Sequence, residues 1–364
     1  MTPKLHYHLS QHITNMDDIK ELAAWPDVWV MRGGSSVRGH NLYGFDIARQ
    51  RLLWTLADIA PPEGLGWSYK RIPFLEQHGD LAVVATYVGR NRERVWLLAL
   101  ESRTGALVWR KPLAWTRCTS SNKRFEAQYI GIANTGTHLA VMENRAAQGE
   151  TPFLLWLDPA TGETVHECPA CVAKERALLA DGYIYFPGEG REQSGLYRIP
   201  AAPGATAAER LLEGQLSSFT VTAGNLYAIY STTNRRDWTF ACLDAQTLAT
   251  YCSYVWQWDD KGYWPHLLAV DPERPECIVL DRDTRLWAWN WRSGEILWEH
   301  TFPFCTDVQA LFYTPRGTLL HADQGVEGLD LVTGARNDVG LSGSRVDGAF
   351  VVDDYLFTSK SWDG

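Results

Sequence analysis

Residues 285–298, R-L-W-A-W-N-W-R-S-G-E-I-L-W, constrain the fold more than any other stretch, because weaker copies recur along nearly the whole chain. The segment reads as two short strands and a tight turn. Side chains alternate in direction through Trp287, Trp289 and Trp291, Ser293-Gly294 reverses the chain, and Ile296 to Trp298 runs back. Copies lie at 41–54, 96–109, 153–165, 195–212, 239–251 and 326–335. The copy at 195–212 is degraded, with Pro200, Pro203 and Gly204 lengthening its turn. The aligned acidic or amide residues are Asp46, Glu101, Asp158, Asp244, Asn290 and Asp330. They fall roughly 40–57 residues apart, with one gap of about twice the lower value, which is the size of a four-stranded propeller blade. Period-2 alternation is strong and 3.6-residue periodicity weak, so no helical repeat is required.

A second hairpin precedes most copies, for example 219–222 with 226–230 around Ala223-Gly224-Asn225, a turn that favours positive φ. The stretch 348–358 is one more hairpin, with no copy after it, and the first copy has only a strand at 27–31 before it. Pairing the two ends in one blade closes a ring and removes open edges. The expectation is an all-β, single β-propeller of four-stranded antiparallel blades. Seven blades fit, or eight if residues 5–9 add a strand, with the ring closed by pairing of N- and C-terminal strands. Residues 1–26 form an N-terminal segment leading into the ring, and 27–364 the propeller domain.

The pattern A-x-(D/N/E)-x-x-(T/S)-G-x-x-x-W is complete at 99–109 and 288–298 and partial at 156–166 and 328–338. It resembles the repeat of quinoprotein-like (PQQ-like) β-propellers, over roughly 28–358. The resemblance implies that Gly105, Gly162, Gly294 and Gly334 permit tight corners. It implies also that Trp54, Trp109 and Trp298 dock between neighbouring blades, which accounts for much of the excess of 17 Trp. The quinoprotein dehydrogenases of that family are much longer and have adjacent cysteines stacking on the quinone. No adjacent pair occurs here, so the repeat is read as architecture and no cofactor is expected.

A net charge of −9 argues against nucleic-acid binding, which needs a basic surface. It favours solubility or a basic protein partner. No apolar run approaches the ~20 residues of a membrane span. The N-terminal stretch lacks the apolar core of a secretory signal, and the seven cysteines are scattered, so a reducing cytoplasmic setting is expected. No P-loop, nucleophile elbow or H-E-x-x-H is present.

The weak metal candidate is His166, Cys168 and Cys171, a Cys-x-x-Cys pair with His166 as a third ligand at best, where a closed zinc site needs four. His6, His8 and His12 read as an exposed terminal strand. The richest loop, 251–266, holds Trp256, Trp258, Asp259, Asp260, Tyr263 and Trp264. Large amphipathic side chains among turn residues suit a binding hot spot. Trp291 joins them, because its turn position is filled elsewhere by Ile47, Ser102, Pro159, Ala245 and Leu331. The functional expectation is a non-catalytic, monomeric protein-binding module, an immunity or inhibitor protein for a toxin or effector. The alternative is a small-ligand or quinone binder or enzyme using the channel.

Overall fold

The computed structural model describes residues 18–35, 39–56, 59, 74–88, 94–113, 132–143, 153–170, 172–173, 177–189, 194–232, 237–257, 266–271, 273–282, 285–302, 308–314, 317–322, 325–342, 348–352 and 355–359. Among these there is no α-helix, and the sheets follow one another along the chain as antiparallel blades. Seven blades cover 18–55, 74–113, 132–169, 172–213, 215–257, 266–301 and 308–342. Six are four-stranded meanders. In blade four the first strand is broken into Val172–Ala173 and Leu178–Ala180, both pairing with Tyr183–Glu189, so the four-position plan is kept. The protein is thus an all-β, seven-bladed propeller. It forms two compact units, one within His8–Arg210 carrying blades one to four and one within Leu211–Gly364 carrying the rest.

Blade one takes all its strands from the N-terminal part of the chain. Asp18–Ala24 pairs with Val28–Ser35, which the expectation of a shared first blade did not include. The first sheet therefore starts inside the segment set ahead of the propeller. D-I-K-E-L-A-A is rich in helix formers and bulged between Ile19 and Glu21, so it gives no period-2 signal. The C-terminal hairpin, Gly348–Val352 with Tyr355–Ser359, is a separate two-stranded sheet, and no described N-terminal strand pairs with it. Residues 5–9 lie outside the described residues, as do the three N-terminal histidines.

The core lies between successive blades, which explains why the middle strands read as unbroken apolar runs. In Leu81–Val88, Ala82 and Val84 pack with Trp54 and Leu56 of blade one. Val83 and Ala85 pack with Leu139, Val141 and Leu155 of blade three. Each face of the pleat thus serves a different neighbour. In the second unit, Phe240 and Cys242 of blade five meet Ile278, Leu280 and Trp289 of blade six. Ala288 and Trp298 of blade six meet Leu320 and Leu329 of blade seven.

The aligned acidic residues build the turns. Asp158 Oδ1 accepts the N–H groups of Ala160 and Thr161 at 2.7 and 3.1 Å, and Asp244 those of Gln246 and Thr247 at 2.9 and 2.7 Å. Asn290 and Asp330 do the same for their two following N–H groups. The fifth residue then returns its N–H to the carbonyl of the first, as Gly334 does to Asp330 at 2.8 Å. That residue has positive φ, which explains the glycine in four copies; Gln50 and Leu248 adopt it at 51° and 61°.

These bonds favour the ionised carboxylate. The Thr247 N–H, with help from the Tyr251 hydroxyl, lowers Asp244 to about 2, and the backbone N–H groups of Arg49 and Thr333 lower Asp46 and Asp330. A carboxyl depressed on folding stabilises the fold above its unfolded pKa. That stability is lost as pH falls through the folded value. Urea midpoints are therefore expected to hold down to about pH 4 and then fall toward about pH 2. Asp244→Asn, which copies the natural Asn290 turn, is expected to keep a similar midpoint at pH 7 and to make the decline below pH 4 shallower. An equally steep decline in that variant counts against the assignment.

Candidate binding surface on blade five

The surface is best understood from the wedge that holds one blade to the next. In blade two, Trp109 stands on the last strand just past a bulge, opposite Ala99. Its Nε1 donates to Pro159 O of blade three at 2.7 Å, and its ring lies against Gly162. Trp54 repeats this, opposite Gly44, with Nε1 to Ser102 O at 2.9 Å and its ring on Gly105. Trp298 does so opposite Ala288, with Nε1 to Leu331 O at 2.9 Å and its ring on Gly334. A Cβ on any of these three turn glycines would stand within 2.7 Å of an indole carbon. The wedge thus needs a small residue across the strand and none on the next corner. Gly294 meets no such ring.

His166 occupies this wedge position in blade three. Its partner across the strand is Trp156, so the large residue has changed strands. Trp156 Nε1 donates to Ala201 O at 3.0 Å, and His166 Nε2 pairs with Ala205 O at 2.8 Å, both in blade four. The two rings are 5.1 Å apart. His166 is therefore engaged in blade docking. Cys168 is buried, and burial pushes its thiol up to about 11, which disfavours the thiolate a metal needs. Cys171 lies outside the described residues. Among the described residues no cluster of three or more metal-ligating side chains occurs.

Blade five has Cys252 at the wedge position, opposite Cys242. The missing bulk comes from the other side of the junction. Trp291, on the turn of blade six, is only 6% exposed and packs in the cluster that holds Cys242 and Cys252. Its Nε1 donates to Pro275 O at 3.0 Å, its carbonyl faces Cys252 Sγ at 3.6 Å, and Arg292 lies over its ring. The structure thus places Trp291 in the core as a transferred wedge, not on an accessible surface where the sequence suggested it. Burial pushes the Cys242 thiol up to about 12 and raises those of Cys252 and Cys277. None is poised as a nucleophile at neutral pH.

The accessible part of this region is the last strand of blade five, Thr250–Gln257. Tyr251 and Val255 are each 56% exposed and Tyr254 is 46% exposed. On the face it shares with Trp256, the Tyr254 ring lies 5.6 Å from Trp256 and 5.4 Å from Trp289, and Phe240 packs edge-on against Trp289 at 5.1 Å. Trp256 is thus half-buried in an aromatic stack that stiffens the strand. The Tyr251 hydroxyl donates to Asp244 Oδ2 at 2.8 Å, which fixes the tyrosine and raises its pKa. Trp258, Asp259, Asp260, Tyr263 and Trp264 lie outside the described residues. Sequence reasoning read 251–266 as one loop, whereas residues up to Gln257 belong to this strand. The signal for the strand itself is the uncharged run T-Y-C-S-Y-V-W-Q.

No protein-family model and no curated protein sequence matches the chain. Solved structures do match. BamB from Moraxella catarrhalis is 17% identical, covering 94% of this chain and 93% of its own, with a TM-score of 0.59. The Dos1 propeller is 14% identical over 95% of this chain and 91% of its own, with a TM-score of 0.62. A europium-containing methanol dehydrogenase is 10% identical over 91% and 80%, with a TM-score of 0.53. At these identities the likeness is one of fold, that of a β-propeller, and the turn-glycine and wedge-tryptophan repeat resembles that of the quinoprotein-like propellers.

Proposed function

We propose that this chain is a non-catalytic, protein-binding β-propeller. In this reading it is a cytoplasmic monomer that masks a basic toxin or effector as an immunity or inhibitor protein. The observation that carries the reading is the exposure of Tyr251, Tyr254 and Val255 along one strand, with Tyr254 held against a stiff aromatic stack. Rigid aromatic area bound at low entropic cost is what interface hot spots use. Trp258, Asp259, Asp260, Tyr263 and Trp264 follow directly in sequence and are proposed to extend the same surface. The net charge of −9 favours a basic partner through steering and complementarity.

Tagged wild type and Val255→Lys, captured from the source cell, test this. Wild type is expected to retain a basic protein at low salt and release it as salt rises. The lysine variant, altered at an exposed site, is expected to retain roughly ten-fold less with an unchanged melting midpoint. Equal recovery from the two chains would remove this strand from the interface.

A further inference from the structure

The last strand of blade five differs from the last strands of the other six blades in carrying no charged residue. Those hold, among others, Arg51, Arg110, Glu167, Arg210, Glu299 and Arg336. Charge on an outer strand is the usual guard against pairing with another chain. Thr250–Gln257 is eight residues long, uncharged, and rich in aromatic and β-branched side chains. It stands at the edge of its sheet, after Asp237–Asp244. Acidic groups bracket it. Asp237 pairs with Gln257 at one end, and Asp244 holds the Tyr251 hydroxyl at the other.

We propose that this edge receives an extended segment of a partner protein as a fifth strand, and that the segment carries lysine or arginine at both ends of an uncharged, β-favouring centre. This rests on the protein-binding reading above and specifies its mode. Main-chain hydrogen bonds supply the pairing, and the exposed Tyr251, Tyr254 and Val255 select the side chains between the basic ends. A second copy of this chain fits less well. Self-pairing brings together two molecules that each carry −9 and offers no basic group from either edge strand.

The probe is a synthetic peptide, Lys-Lys-Val-Thr-Val-Tyr-Val-Thr-Lys-Lys, added to the full chain and followed by fluorescence anisotropy and amide hydrogen exchange. Three comparisons accompany it: the same peptide N-methylated at alternate backbone amides, a glutamate-flanked version, and the Val255→Lys protein. The expected result is saturable binding with slowed exchange within Thr250–Gln257. Each of the three comparisons is expected to weaken binding about ten-fold or more, as for lost main-chain pairing or reversed charge. Equal binding of the N-methylated peptide overturns strand addition while leaving a side-chain interface intact. No binding of the lysine peptide, or slowed exchange only elsewhere, also overturns it. Concentration-dependent dimerisation of the free protein that Val255→Lys abolishes assigns the edge to a second copy and overturns it too.

Discussion

Trp298→Ala is expected to lower the stability of the protein by about 3–5 kcal/mol, the range for truncating a buried aromatic. The residue is 8% exposed and joins blade six to blade seven in three ways. Its ring packs with Phe302, Leu320 and Leu329, its Nε1 bonds to Leu331 O, and its face covers Gly334. Alanine removes all three and leaves the Leu331 carbonyl without that donor. Trp298→Phe keeps most of the area and loses the N–H, so a smaller loss of about 1–2 kcal/mol is expected. Gly334→Val attacks the same contact from the other side: φ is +73°, and its Cβ would stand 2.7 Å from the indole Cγ. Urea denaturation of the three variants checks the ordering. Trp298→Ala within about 1 kcal/mol of wild type would show that the wedge is not structural.

Trp291→Ala is expected to be nearly as damaging, at about 3–5 kcal/mol, although the repeat has no tryptophan at that position. The residue substitutes for the wedge that Cys252 is too small to provide. The effect is therefore expected to depend on position 252. In a chain that also carries Cys252→Trp, with Cys242→Ala to supply the small neighbour found in blades two and six, part of the loss should return. Melting midpoints of the single, double and triple variants measure this coupling. A surface role for Trp291 predicts a loss of under about 0.5 kcal/mol and no coupling.

These two residues also mark where the sequence was readable and where it was not. Trp298 was legible because three cues coincide at fixed spacing: the acidic or amide turn residue, the glycine, and the tryptophan four residues on. The same spacing places His166 at the wedge, four after Gly162. Histidine beside two cysteines reads more readily as metal chemistry, and only the paired Trp156 reveals the exchange of large and small residues across the strand. Trp291 looked surplus because it was compared with its own column alone. The absent wedge lay at Cys252, in the preceding copy, and pairing across blades is a fact of the fold. The strand at Asp18–Ala24 was hidden by its helix-favouring composition.

The proposed surface was half legible. The aromatic density near residue 256 was plain, and sequence weighting placed it in the loop. The sharper feature is the lack of charge on Thr250–Gln257, which acquires meaning only when the strand is known to stand last in its sheet while the other last strands are charged. An interior strand of that composition would need no comment. The wedge exchange has the same locality. It gathers Trp289 and Trp291 beside Trp256, so this junction, which departs from the repeat as the His166 junction does, also supports the exposed Tyr254.

The most direct measurement is photo-crosslinking in the source cell, with a benzophenone amino acid replacing Tyr254 in one chain and Val332 in another. Val332 is 59% exposed on the turn of blade seven and serves as an apolar control. The expected result is a single major adduct from position 254 to a basic protein, mapping to an extended segment of that protein, and no such adduct from position 332. The same adducts from both positions, or none from position 254, would contradict a protein-binding edge on blade five.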